Sequence, residues 1–346
     1  MAQKNKKKIL LISVVLVMII ALAGAWVGYL TFLAPAVANN EEYFFVKTDE
    51  PYEEVMRRIE QENVVKNYQL FELAAKYIGL KESGIKAGRY KLSNDLSNRR
   101  LIGNLRGGYQ EAVEFRFQNI RLKENFAGLL GANFEADSAT FLTLLNDEKL
   151  ATKYGFTKQD FFSMFIPNTY QIYWNTSPSE IIDRFSKEYD KFWTQARKAK
   201  ADSLGLSLQE ISILASIVKG EALHTDEMPK IAGLYINRLN KNMLLQADPT
   251  VIFANNDFSI RRVLNKHLTI DNPYNTYRYR GLPPGPIMMP SITSIDAVLN
   301  YDHHPYLYMC AKDDFSGYHL YAETMVEHLI NARKFQKALD LRNIKK

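Results

Sequence analysis

From Ile9 to Ala38 the chain carries no charged residue, and from Ile9 to Leu33 it is almost wholly apolar. No other stretch constrains the fold so strongly. At about 1.5 Å per residue such a helix outspans the roughly 30 Å hydrocarbon core of a bilayer, so residues 9–34 are expected to form a transmembrane helix. Lys4, Lys6, Lys7 and Lys8 stand just before it. The positive-inside tendency then makes residues 1–8 a cytoplasmic basic tail and puts everything after Asn39 outside the cytoplasm. Ala36-Val37-Ala38 also has the small-residue pattern of a signal-peptidase site. A secretory signal core is only about 7–15 residues long, which favours a retained anchor. The expected location is the cytoplasmic (inner) membrane, crossed once.

Those four lysines supply four of the net six positive charges. The rest of the chain lacks the concentrated basic surface that phosphate binding needs, and no nucleic-acid partner is expected. Cys310 is the single cysteine, which excludes an intramolecular disulfide. With 47% hydrophobic and 24% charged residues, the chain can bury packed cores, and disorder is a poor reading.

After the anchor, Tyr43–Val46 reads as a strand. Pro51 opens a helix with Val55, Met56 and Ile59 on one side. Tyr68–Ile78 reads as a second helix, with Leu70, Leu73, Ala74 and Tyr77 on its apolar face. Gly88–Leu92 looks like a second strand. Val113, Phe115 and Phe117 alternate with polar residues, the period of a half-buried strand. Helices are expected near Leu122–Leu130 and Ala139–Leu145. Ser177-Pro178-Ser179-Glu180 combines a capping Ser, Pro at the first helical position and Glu three residues after the cap. The helix that follows repeats Ile182, Phe185, Tyr189 and Phe192. From Ala247 to Thr324 long helical periods vanish, and the text reads as loops and short strands, the usual carriers of binding residues. The fold class is α+β: a transmembrane helix, a small subdomain over residues 40–110 and a larger α+β domain over 111–346.

Ser207-Leu208-Gln209-Glu210 is a second capping box and starts a helix Leu208–Ala222. Leu214, Ile217 and Val218 form its apolar face, and Glu221 falls on the same face at helical spacing. A glutamate beside aliphatic side chains loses solvation, which raises its pKa and suits it to donate a proton near neutral pH. The competing reading is an ordinary helix-end glutamate in solvent, paired with Lys219 or His224.

Leu214-Ala-Ser-Ile-Val-Lys-Gly-Glu221, Ile236-Asn237-Arg238-Leu239 and Leu245-Gln246-Ala247-Asp248-Pro249-Thr250-Val251 resemble segments of the MltG (YceG-like) endolytic murein transglycosylases. Tyr274-Asn275-Thr276-Tyr277 and Gly281-Leu282-Pro283-Pro284-Gly285-Pro286-Ile287 are similar to the segments that follow them there. Phe165–Tyr170, Pro305–Tyr308 and Gly317–His319 also match family segments, so the likeness covers essentially the whole chain. The small strand–helix–helix–strand subdomain resembles a LysM-type carbohydrate-binding module. The resemblance implies that Glu221 is the catalytic carboxylate. It would protonate the oxygen between MurNAc and GlcNAc, then take the proton of the muramic C6 hydroxyl as that oxygen closes onto C1. The product would end in 1,6-anhydro-MurNAc. Because the substrate supplies the nucleophile, one carboxylate suffices where an ordinary glycosidase needs two. Two positions depart from the family: Lys219 stands where a glutamate is usual and Asn168 where an aspartate is common.

Binding the glycan strand would fall to Gln246, Asp248, Thr250, Asn275 and Thr276 as hydrogen-bonding groups, and to Tyr274 and Tyr277 as sugar-stacking rings. Gly281, Pro283 and Pro284 belong to a kinked turn read as cleft wall. Asp248-Pro249-Thr250 could instead merely begin a helix or turn, and the tyrosines could be packing residues. Asn237 and Arg238 read as a structural pair. His303, His304, Cys310 and His319 fit no common zinc spacing, and no metal or cofactor is expected. Cys310 is expected to be a buried strand residue. Expected partners are peptidoglycan glycan strands, the membrane and, by resemblance, peptidoglycan synthases. Two rivals remain: a non-catalytic glycan-binding scaffold, and a water-using muramidase with Asp248 as the second carboxylate.

Overall fold

A computed structural model describes residues 2–38 and 41–341. Residue 40, the expected start of the small subdomain, and residues 342–346 lie outside the described residues. The chain divides into two compact units. The first comprises residues up to 114 with 133–135 and 171–176, and the second comprises 115–132, 136–170 and 177 onward.

The first unit begins with α1 (Ala2–Phe32), β1 (Tyr43–Val46), α2 (Tyr52–Gln61) and α3 (Tyr68–Ile78). It continues with α4 (Leu80–Ser83), β2 (Gly88–Lys91) and α5 (Asn98–Gly107). Lys6–Phe32 within α1 is long and apolar enough to cross a membrane, and none of its most apolar window is buried by protein. β1 and β2 pair antiparallel, Tyr43 opposite Lys91 and Val46 opposite Gly88. Helix α2 buries Val55, Met56 and Ile59 against this ribbon, as its spacing predicts. Of its expected face, helix α3 buries Ala74 and half-buries Leu70. Phe71, Ala74 and Ala75 are inside, while Leu73 is 51% and Tyr77 82% exposed. The Tyr77 ring meets Phe32 at the end of α1, centroids 5.4 Å apart, so a neighbour in space, not the core, takes that side chain.

The segment after α1 is part of this core. Pro35 bridges to Ser97 and Val37 to Val65. The Ala36 N–H donates to the Leu96 carbonyl at 2.9 Å and the Lys66 N–H to the Ala36 carbonyl at 2.7 Å. Val37 itself is 1% exposed.

The division falls within β3 (Val113–Arg116), which pairs with β4 (Thr169–Ile172). Between them lie α6 (Lys123–Asn133), α7 (Ser138–Leu145) and α8 (Glu148–Lys153). Phe115, Phe117, Phe126, Phe165, Tyr170 and Phe185 interlock at centroid distances of 4.9 to 6.4 Å. Such edge and tilted pairs add about 0.5–1.5 kcal/mol each beyond simple burial.

Next come α9 (Pro178–Phe192), α10 (Gln195–Leu204), α11 (Leu208–Glu221) and α12 (Met228–Asn240). Both expected capping boxes form, Ser177 with Glu180 and Ser207 with Glu210. Every residue of α11 from Ile211 to Val218 is buried, so this helix is the axis of the unit rather than a one-faced surface helix.

The stretch read as loops contains helices as well: α13 (Asp248–Ala254), α14 (Asn265–Leu268) and α15 (Ile292–Leu299). Helix α15 is the correction that matters. It packs directly on α11 and α12, and its eight residues are too few to display a helical period. Its cap at Ser291 is real, with the Ser294 N–H donating to the Ser291 hydroxyl at 3.0 Å. The chain closes with the antiparallel hairpin β5 (Tyr308–Ala311) and β6 (His319–Ala322), on which α16 (Met325–Leu341) packs.

Candidate active site

Helix α11 ends at Glu221 inside the second unit. Gly220, just before it, is a close-approach position: a Cβ there would lie 2.9 Å from Cβ of Pro249 and 3.4 Å from Cδ1 of Ile287. The bare backbone lets the start of α13 sit against the end of α11, which brings Asp248 beside Glu221. The Ser216 hydroxyl donates to the Ile213 carbonyl at 2.7 Å and accepts from the Ile287 N–H at 3.1 Å. That bond docks the Gly-Pro segment on the same helix.

The result is a cavity of about 270 Å³ lined by Glu221, Tyr235, Arg238, Asp248, Tyr277 and His319, with Gln246 and Cys310 at its wall. Glu221 is half-buried, and its Oε2 is sealed with no hydrogen-bond partner among the described residues. Burial first, then the nearby Asp248 carboxylate, pushes its pKa from 4.5 up to about 8, against a smaller pull from Arg238. The group is therefore a neutral acid at neutral pH. Asp248 is also raised by burial, although the Tyr277 hydroxyl donates to its Oδ1 at 2.6 Å. Burial and the adjacent Asp248 in turn hold the Tyr277 hydroxyl protonated.

Arg238 is buried without a carboxylate on it among the described residues. Its Nε donates to the Leu307 carbonyl at 2.6 Å, and its Nη1 donates to the carbonyls of Leu244 and Leu245 at 3.2 and 2.7 Å. Asn237 donates to the carbonyls of His304 and Tyr306 at 2.6 and 3.1 Å. The pair thus ties α12 to the chain around β5, as a structural pair should, while Arg238 also reaches the cavity.

The expected binding residues separate into three groups. Gln246, Asp248 and Tyr277 line the Glu221 cavity. Gln246 is exposed and held at φ 51°, a left-handed backbone that a non-glycine residue adopts at a cost. Thr250, Asn275 and Thr276 face inward. The Thr276 hydroxyl accepts from the Ala247 N–H at 3.0 Å and lies 2.8 Å from the Thr250 hydroxyl, which donates to the Ala247 carbonyl at 2.6 Å. The Asn275 amide donates to the carbonyls of Leu268 and Ile270, both at 2.9 Å, and accepts from the Tyr277 N–H at 3.1 Å. Their hydrogen-bonding groups are spent on holding the turn that presents Gln246 and Tyr277.

Tyr274, Gly281, Pro283 and Pro284 lie off the cavity. Tyr274 packs on Phe253, centroids 4.7 Å apart, and burial takes its hydroxyl up to about 12. Gly281 has φ 80°, and Pro283 is buried while Pro284 is exposed. Cys310 is half-buried at the cavity wall, not sealed in a strand as expected, because the face of β5 it leaves on borders the cavity. Lys219 lines a separate groove with Arg116 and Asn168, away from the Glu221 cavity.

Sequence reasoning missed the group facing Glu221 from the hairpin. Glu227, at the start of α12, accepts from the His319 N–H at 2.8 Å, the His319 ring and the Tyr321 hydroxyl. The signal was there in the spacing: His319 and Tyr321 are two apart on a strand and leave it on one face.

A family model described as the YceG-like family matches residues 44–334. An endolytic murein transglycosylase of Bacillus subtilis is 30% identical over 289 residues, covering 78% of each chain. One of Streptococcus pneumoniae strain D39 is 27% identical over 93% of this chain, which spans only 64% of that relative's length. A crystal structure of a YceG-like protein from Listeria monocytogenes shares the fold, with a TM-score of 0.55 at 24% identity over 83% of this chain and 98% of that one.

Proposed function

Because this chain belongs to the YceG-like family, we propose that it is a membrane-anchored lytic transglycosylase cleaving the MurNAc–GlcNAc bond of peptidoglycan glycan strands. The observation that carries the reading is a carboxyl group, Glu221, kept protonated to about pH 8 at the wall of a cavity. Glu221 donates its proton to the glycosidic oxygen as the C1–O bond breaks, and the carboxylate so formed takes the proton of the muramic C6 hydroxyl as that oxygen closes onto C1. The relatives named endolytic murein transglycosylases support the substrate and the endolytic mode. Gln246, Asp248 and Tyr277 are the groups that meet the sugar. Thr250, Asn275 and Thr276 act behind them.

One observation favours the water-using muramidase enough to keep it: Asp248 stands beside Glu221 in the same cavity, and a second carboxylate is what a hydrolase needs. Digestion of purified glycan in ¹⁸O-water separates the two. Ring closure takes no oxygen from solvent and yields 1,6-anhydro ends, one water lighter than hydrolysis products. Glu221→Gln should remove cleavage by about 10²–10⁴-fold while the protein stays folded. Full activity of that variant refutes the assignment, and ¹⁸O at new reducing ends establishes the hydrolase.

The apolar span Lys6–Phe32 supports a single-pass anchor. With the lysines before it, the N-terminus lies in the cytoplasm and the chain after α1 outside it. The antiparallel β1–β2 ribbon with α2 and α3 between its strands supports a LysM-like glycan-binding role for the first unit. An association with peptidoglycan synthases follows from the family alone.

A further inference from the structure

Three donors converge on the carboxylate of Glu227. The His319 N–H and the Tyr321 hydroxyl donate to its Oε1 at 2.8 and 2.9 Å, and Nδ1 of His319 lies 3.0 Å from its Oε2. Glu227 is 6% exposed and the His319 side chain 14%. One carboxylate thus grips the backbone and the ring of the same histidine, so the ring cannot turn. With Oε1 accepting twice, an ionised Glu227 keeps the ring proton on Nδ1, and the opposite nitrogen, Nε2, is left as the bare acceptor. Nε2 has no hydrogen-bond partner among the described residues, and it is not sealed inside the protein. His319 lines the same cavity as Glu221. The loop before it is pinned as well: the His224 ring stacks on Tyr318, centroids 4.1 Å apart, and meets the Ser316 carbonyl at 2.8 Å. An orienting carboxylate behind a cavity-lining histidine whose far nitrogen is left without a partner is the arrangement of a general base.

We propose that His319, oriented by Glu227, takes the proton from the attacking C6 hydroxyl while Glu221 protonates the departing oxygen. This rests on the transglycosylase reading above and relieves Glu221 of the second of its two duties. The step balances: the bond from C1 to the glycosidic oxygen breaks and the bond from O6 to C1 forms. One proton passes from Glu221 to the leaving oxygen and one from O6 to Nε2. The imidazolium so formed lies against the Glu227 carboxylate, and its proton returns through water to Glu221, which restores both groups.

The test uses the full chain in detergent with purified glycan. His319→Asn keeps an N–H near the position of Nδ1 for Glu227 but has nothing in place of Nε2, and His319→Gln keeps a polar group near Nε2 that cannot take a proton. Both should lower kcat by about 10²-fold or more with KM changed far less, because the lost group acts in the transition state. His319→Ala should regain rate on addition of imidazole, in proportion to its concentration and still with 1,6-anhydro products, whereas Glu221→Gln should not. A histidine that only packs would give no such rescue. Wild-type kcat in His319→Asn, or a loss in all three variants that imidazole does not restore, overturns the role of His319 and leaves the transglycosylase reading standing if Glu221→Gln is dead. An active Glu221→Gln, or products without anhydro ends, fails that reading instead.

Discussion

Glu221 links activity and stability to pH in the same direction. An unfolded glutamate releases its proton near 4.5, whereas the folded group holds it to about 8. Between those values the native state binds more protons than the unfolded chain, so stability falls as pH rises through the window. Catalysis needs the protonated form and should decline on the alkaline side of about 8. Glu221→Gln has no proton to lose. Its melting temperature should exceed that of the wild type at about pH 9 and approach it at about pH 5, measured by thermal scans across the range. A variant whose melting temperature follows pH as steeply as the wild type would show that Glu221 is not the shifted group. Asp248 is raised too, so some alkaline destabilisation should persist in the variant.

Among the elements, the junction of α11 with α13 is where packing sets chemistry. At Gly220 an added methyl would strike Cβ of Pro249, a ring that cannot swing aside, and displacing α13 moves Asp248. Alanine is the better helix former by about 1 kcal/mol, which offsets part of the strain. Gly220→Ala should therefore stay folded, with a small change in melting temperature, yet lose about tenfold or more in kcat through misplacement at the cavity. Gly233→Ala is the control. Its Cβ would fall 2.3 Å from the Asp302 carbonyl oxygen, which is backbone, so stability should drop by roughly 1–3 kcal/mol in denaturant titrations. Equal losses of stability in the two variants would contradict this division. The two capping boxes were legible because a cap is a bond between near neighbours in sequence. Helix α15 was not, since eight residues carry too little periodicity and its helicity depends on packing against α11.

At the scale of the whole molecule, α1 and the first unit are one covalent and one packed object. A cut after Ala38 would remove Val37 from the core of that unit along with its bridge to Val65. The native chain should therefore stay in the membrane fraction with its N-terminal residues intact. A reporter active only outside the cytoplasm, fused at the C-terminus, should be active. Recovery of a soluble form beginning near residue 39 would show that α1 is a cleaved signal.

Local chemistry alone determined a good part of this protein. Length and apolarity marked the span in α1, caps marked the starts of α9 and α11, and a period of two marked β3. Spacing on α11 also placed Glu221 on an apolar face, because a helix fixes the relation of residues three, four and seven apart. Which side chains meet Glu221 was decided only by the tertiary structure. Asp248, Tyr277 and His319 come from α13, a loop and β6, and nothing in a local pattern relates those segments. The same holds for Thr250 and Thr276, whose types suit sugar binding as well as they suit a buried network. The direction in which a polar side chain points depends on the neighbour that covers it, and that neighbour is chosen by packing across the chain.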